Sequence, residues 1–370
     1  YVAIAPVVGG LAHLLPRKPL LVGLDLVRAA SVLALPWITE VWQLYLVIFV
    51  LNACSAGFTP TFQATIPDVL DEPDYTRALS LSRLAYDLEN LLSPLLAGLA
   101  LLVVSFDALF VATTAGFLVS AAWVLGAAIP KPRPAERGRS VVANVTFGVR
   151  AYLATPRLRG VLALGLAVSA AGAMVIVNSV VLVRAELGLG ESALAVAMAF
   201  AGGGSMTAAL SLPRVVDHVA ERTIMLTGAL LLTAAMASGA LAATGYGALL
   251  ALWFTTGVGL SLVQTPIGRV LRRSAADADR PAFFSAQFAL SHACWLVTYP
   301  LAGWLASAGG VGAAFAGLGA LAAAGGLAAL VLWPAGDPVE VEHVHPGGAH
   351  DHLHRHDDPH HAHEHEGWEG

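Results

Sequence analysis

Residues Asp74–Gly98 read DYTRALSLSRLAYDLENLLSPLLAG, and this stretch decides what kind of chain it belongs to. Asp74 is a good helix N-cap, and the sequence runs on unbroken into the apolar segment that ends near Val104. The whole is long enough to cross a bilayer as one helix. It nevertheless carries Arg83, Asp87, Glu89 and Asn90. Arg83, Asp87 and Asn90 fall at i, i+4 and i+7 and so share one helix face, while Glu89 points elsewhere. Charges at membrane depth are costly and face a bundle interior or a wet cavity. Such a seam lines a transport pathway, or it locks two helices together through an Arg83–Asp87 pair, and the two roles are compatible.

The composition around this helix agrees. The 370 residues are 57% hydrophobic and 12% charged, and mean hydropathy is +0.71. A soluble domain carries about 25% charged residues, so the class is an all-α integral membrane protein. The net charge of −5 hides two regions. Residues 334–370 hold nine acids and one arginine, whereas residues 1–333 hold 19 basic and 16 acidic side chains. The two cysteines, Cys54 and Cys294, lie in apolar segments without metal-type spacing.

Apolar spans fall at roughly 1–15, 20–38, 42–63, 76–104, 107–129, 159–183, 191–212, 223–243, 246–268, 283–307 and 311–333. A charged, Pro-rich stretch at 130–158 separates them. The expected organisation is a transmembrane half over 1–129, a central loop over 130–158, a six-helix half over 159–333 and a tail over 334–370. Tyr1 falls inside an apolar run, so the chain reads as a fragment. A first half of six would need one further helix and part of the next, about 40 to 60 residues. Two six-helix halves joined by a long loop is the parallel-repeat plan of the major facilitator fold.

Lysine and arginine set the expected orientation. Arg17 and Lys18, Arg77, the central loop from Lys131 to Arg159, Arg214 and Arg222, and Arg269 to Arg280 all fall at alternate loops. The opposite loops hold Glu40, Asp107, Glu186 and Glu191 with one basic residue, Arg184. The basic loops are expected in the cytoplasm, and the tail with them. Within the central loop Val141, Val145, Val149 and Tyr152 stand near helical spacing. They fit either a short helix on the inner membrane surface or a flexible linker.

Enzymatic and nucleotide motifs are missing. Gly202-Gly203-Gly204-Ser205 is followed by no Gly-Lys-Ser/Thr, and the only lysines are Lys18 and Lys131. Close helix packing explains these glycines better. No His-Glu-x-x-His and no nucleophile elbow occurs, so the expectation is no enzyme, no resident cofactor and no nucleic-acid partner. Transport then draws on an ion gradient. Further polar groups in apolar spans are Asp25 and Arg28 at i, i+3, with Asn52, Gln63, Asn178, Gln264, Gln287 and His292. Most such residues bond to a neighbouring helix. His292 is the one whose imidazole can bind metal or carry a proton near neutral pH. Asp87 and Glu89 are the natural proton acceptors.

The tail holds ten of the 13 histidines: His343, His345, His350, His352, His354, His356, His360, His361, His363 and His365. Interleaved Asp and Glu add oxygen ligands. This composition builds no packed core, so a disordered tail is expected. Imidazole suits Ni, Zn and Cu(II), and no tail cysteine serves Cu(I).

Two resemblances follow. The loop after the first partial span, with Gly9, His13, Leu14, Pro16, Arg17 and Lys18, resembles the loop signature of major facilitator transporters. It keeps the basic end but has His13 in place of the usual Asp and Pro16 in place of Gly. The second-half copy keeps Asp217 and Arg222 with Pro213 in place of Gly. The stretch Tyr75–Glu89 with Ser93-Pro94, followed by the His-rich tail, resembles the bacterial nickel-resistance exporters of that superfamily. That resemblance implies a monomer in the bacterial inner membrane. It would export Ni²⁺ or Co²⁺ by proton antiport, with Arg83, Asp87, Glu89, Asn90, Asp25, Arg28 and His292 on the pathway and the tail collecting metal. The competing expectation is a drug or siderophore exporter whose tail only buffers metal. A third is a membrane-anchored metal store.

Overall fold

A computed structural model describes residues 1–11, 16–100, 103–129, 141–216, 218–242, 245–276, 278–336, 341–345 and 348–352. The backbone of the charged helix is described throughout, but the side chains of Asn90 and most of its neighbours to residue 99 lie outside the description.

Helices dominate. In chain order they are α1 (Ile4–Leu11), α2 (Arg17–Leu33), α3 (Val41–Val69), α4 (Glu72–Ala100), α5 (Phe106–Gly126), α6 (Val141–Ala154), α7 (Pro156–Val180), α8 (Glu191–Val215), α9 (Glu221–Ala242), α10 (Tyr246–Gln264), α11 (Ile267–Ser274) and α12 (Arg280–Leu332). Among the described residues eight helical segments are long and apolar enough to cross a membrane. The charged stretch lies on α4, as its pattern requires, although its start at Glu72 precedes the expected Asp74 cap.

Local chemistry accounts for the ends. Glu40 and Gln43 form a capping box at the start of α3, where the Gln43 side chain accepts from the Thr39 and Glu40 amides at 2.9 and 3.1 Å. Ser105 caps α5. The two final spans separate at Gly310, whose φ of 78° turns α12 into two membrane-length arms, a left-handed step that glycine makes without strain. Pro266 stands between α10 and α11 inside the expected 246–268 span.

The helices sort into two groups. α2 packs on α3 and α5, and α7 packs on α9, α10 and both arms of α12. α7 is the centre of the second group, with Leu158, Val161, Leu164, Ala171 and Met174 fully buried. The seam between the groups is closed by α4 against α8 and by α1 against α12. Two polar groups expected to bond across helices do so: Asn178 donates to the Ala302 carbonyl at 3.4 Å, and Gln287 accepts from the Tyr152 hydroxyl.

Two regions outside the apolar spans take definite form. The central-loop residues form a helix, α6, the first of the two forms that their spacing allows. It is wedged between α1 and α12, because glycines let the backbones meet. A Cβ on Gly10 would stand 2.5 Å from Val145 Cα, and one on Gly148 would stand 2.4 Å from the Ala282 carbonyl oxygen. In the tail, expected to be disordered, Val341–His345 (β1) and Gly348–His352 (β2) pair as an antiparallel ladder. The rest of the tail after Gly336, with His354 to His365, lies outside the described residues, as do the loop residues His13, Leu14 and Asp217.

Candidate functional site

Arg83 and Asp87 pair as their spacing requires, with Arg83 Nη2 3.0 Å from Asp87 Oδ1 and both side chains largely buried. The guanidinium does more than its sequence position announces. Nε donates to Ser205 Oγ on α8 at 3.0 Å, and Nη1 donates to Gln264 Oε1 at the end of α10. One arm therefore stays on its own helix and two reach across the seam. Tyr86 lies under the same guanidinium, 5.3 Å from ring centroid to carbon. Asp87 Oδ2 is buried without a partner in good hydrogen-bond geometry, although the Ser205 hydroxyl lies within reach of the carboxylate. An unsatisfied carboxylate oxygen is a costly feature unless something occupies it in another state. Arg83 stands about 16 Å along α4 from its start, and Ser205 about 15 Å from the end of α8, so the cluster sits at membrane depth.

Nearer the face that carries the basic loops the seam is tied again. Asp68 at the end of α3 accepts from Arg17 of its own group and from Arg280 of the other. Arg269 donates to Thr76 Oγ1 at 2.5 Å across the seam and to Glu221 at 3.0 Å on its own side. The two groups thus use opposite charges at corresponding places: a basic residue opens α2 and an acid ends α3, whereas an acid opens α9 and Arg269 lies in α11. The basic-loop face is thus tied across the seam at these two points.

Asp25 and Arg28 form a separate cluster within the first group. Asp25 is fully buried, pairs with Arg28 and accepts from Ser120 at 2.7 Å. The Arg28 guanidinium lies 4.2 Å from the Phe58 ring centroid and 4.8 Å from that of Phe117, a favourable cation–π sandwich. The described contacts do not bring this pair to Arg83. Asp25→Asn is expected to leave Arg28 buried and unpaired, at a cost of about 3–5 kcal/mol seen as a lower thermal midpoint and membrane level. Adding Arg28→Leu is expected to restore both.

His292 lies where α12 meets α1. Its Nδ1 donates to the Phe288 carbonyl at 2.7 Å, and the ring packs on Tyr1 and Phe288 at centroid distances of 4.5 and 4.1 Å. Nε2 is thereby the free acceptor. Trp295 and Tyr299 extend this aromatic strip along α12, 5.0 Å apart. Glu89 is on the exposed side of α4, and the Asn90 side chain is outside the described residues. Among the described residues no three His, Cys, Asp or Glu side chains come together as a cation site. Sequence reading missed Ser205, Asp68 and Arg280. Gln264 was visible as an amide in an apolar span.

A family model described as Major Facilitator Superfamily matches residues 1–219 and 162–355. The chain belongs to the Major Facilitator Superfamily. That family is one of multi-pass membrane transporters, and the chain has the fold expected of two helical halves. Among curated proteins it is 26% identical to the macrolide efflux protein A of Enterococcus faecalis over 136 residues, 35% of this chain and 42% of that protein. It is also 26% identical to the MFS-type transporter YfiS of Bacillus subtilis over 120 residues, 32% of this chain and 29% of that one. The chain therefore spans less than half the length of these relatives. Solved structures share the fold. The human organic anion transporter MFSD10 (TETRAN) superposes with a TM-score of 0.74 at 13% identity, covering 89% of this chain and 80% of that one. A bacterial homologue of the iron transporter ferroportin, in an outward-facing state, superposes with 0.67 at 15% identity, covering 89% and 86%.

Proposed function

We propose that this superfamily member is an exporter of an amphipathic organic compound, driven by proton exchange at Asp87. The observation that carries the reading is the Asp87 carboxylate: it is buried in the seam, paired through Oδ1 and open at Oδ2. A proton on Oδ2 neutralises the group and weakens its hold on Arg83, which links protonation to the contact between the halves. The exposed rings of Tyr86 and Tyr299, with half-buried Trp295 beside Tyr299, offer flat apolar surface with polar edges, which suits an organic molecule better than a bare cation. The Lys/Arg rule puts this tied basic face in the cytoplasm. The macrolide relative is an efflux protein, which supports the same class. Localisation in a bacterial inner membrane as a monomer belongs to this proposal.

A second reading, Ni²⁺ or Co²⁺ efflux by proton antiport, is favoured by the ten tail histidines. A tethered, metal-binding tail raises local cation concentration near the inner mouth, on the order of millimolar for short flexible tethers. Capture alone moves nothing uphill, so the helical core remains the engine.

One experiment separates the two. The full-length gene is expressed in a sensitive host and challenged with macrolides and other amphiphiles, and with Ni, Co, Zn and Cu, beside a variant lacking residues 340–370 and an empty vector. Raised tolerance to an organic compound, unchanged by tail deletion, is the expected result. Tolerance to Ni or Co alone, weakened but not removed by tail deletion, selects the second reading. Vector-level growth under every challenge rejects both.

A further inference from the structure

We propose that Ser205 and Gln264 are positioning residues that make Arg83 the latch across the membrane-depth part of the seam. The proposal deepens the transport reading above and rests on it for its place in a cycle. Three of the guanidinium's nitrogens are committed, one to Asp87 on α4 and two to Ser205 and Gln264 on the opposite half. Arginine suits this because its planar fork serves several acceptors at once, which lysine does not. Hydrogen bonds from a charged donor are the strong kind, and at membrane depth no bulk water competes for them.

The geometry makes closure of the seam and the state of Asp87 one event. While Asp87 is charged, Arg83 is anchored on α4 and its two remaining arms hold α8 and α10 against it. When α8 and α10 move away, the guanidinium keeps one partner and faces a buried vacancy. Closure therefore depends on two neutral acceptors that are themselves not titratable. Ser205 is fixed by the close approach of α8 and α10, since a Cβ on Gly257 would stand 2.9 Å from the Ser205 amide nitrogen. Gln264 ends α10 just before the Pro266 break, so its side chain is presented at a helix end instead of along a flat face.

The test reads conformation and needs no substrate. Nitroxide labels are placed at Arg77 on α4 and Val215 at the end of α8, one in each half on the basic-loop face and both exposed. The background carries Cys54→Ser and Cys294→Ser. Pulsed electron–electron double resonance on the full chain in nanodiscs is expected to give a dominant short distance. In the Ser205→Ala, Gln264→Leu variant the ratio of short to long distances is expected to fall about tenfold or more. Restoring the acceptor as Gln264→Glu in the Ser205→Ala background is expected to bring the short population back. Merely structural residues would lower the thermal midpoint without this recovery. An unchanged distance distribution in the double variant overturns the proposal. A population shift without any drug or metal tolerance keeps the latch and rejects the substrate reading, so the two failures are distinct. Should the double variant not fold, graded shifts in Ser205→Ala and Gln264→Asn singly decide the matter, and their absence overturns it.

Discussion

Asp87→Asn is expected to reduce export to the level of empty-vector cells while the protein still reaches the membrane. Asparagine keeps the shape of the side chain and one oxygen for the Arg83 arm at 3.0 Å, so packing survives. It removes the titratable group at the buried Oδ2 position. The measurement is efflux of the compound found in the tolerance panel, at matched membrane levels. Normal efflux by a well-expressed Asp87→Asn protein would end the proton-carrying role. Arg83→Ala is the paired experiment. It strands a buried carboxylate, which costs about 3–5 kcal/mol, and the expected sign is a low membrane level. Combining it with Asp87→Asn is expected to restore the level and not the efflux. Recovery of both would make the pair a packing device.

The fold was legible because a membrane reduces the choices. Apolar length, the long basic break near residue 140 and alternating basic loops sufficed for two helical halves. The i, i+4 pairing of Arg83 with Asp87 was legible for the same reason, since helix geometry alone brings them together. What lay beyond reach was everything across the seam. Ser205 reads as one more small residue in a Gly-rich run, and nothing local says that an arginine lies 122 residues before it in sequence at bonding distance. Nothing local in the sequence marks Asp68, and only the packing of α12 against α3 brings Arg280 to it. The tail leaves the cargo open. Its histidines are conspicuous, but composition reports affinity for metal and not whether metal is the cargo. The groove that α6 occupies was not legible, because amphipathic spacing fits a membrane surface and a protein groove equally well, and only packing brings Gly10 of α1 and Gly148 of α6 against their neighbours.

Gly204→Ala is expected to destabilise the protein strongly, and Gly202→Ala, two residues away, is expected to do almost nothing. α8 and α10 touch through backbone at two reciprocal points. A Cβ on Gly204 would stand 2.0 Å from the Phe254 carbonyl oxygen, and one on Gly257 would stand 1.9 Å from the Ala201 carbonyl oxygen. Neither obstacle is a side chain that can swing aside, so a methyl group forces the helices apart by an ångström or more. Overpacking of this kind costs about 1–3 kcal/mol, and a backbone obstacle puts Gly204→Ala at the upper end or beyond. Gly202 and Gly203 meet nothing within 4 Å, so alanine there stays within about 0.5 kcal/mol of the parent. The measurement is the thermal midpoint of the detergent-solubilised protein by size-exclusion profile after heating, for Gly202→Ala, Gly203→Ala, Gly204→Ala and Gly257→Ala. Equal midpoints for all four would mean that the helices do not approach this closely. The consequence also reaches the site. Ser205 follows Gly204 on α8, and Gln264 lies on α10 beyond Gly257, so any spreading of the two helices changes the distance between the acceptors that share Arg83. Gly204→Ala protein rescued to full membrane level by low-temperature expression is therefore still expected to export poorly, because the fork of Arg83 can satisfy only one displaced acceptor at a time.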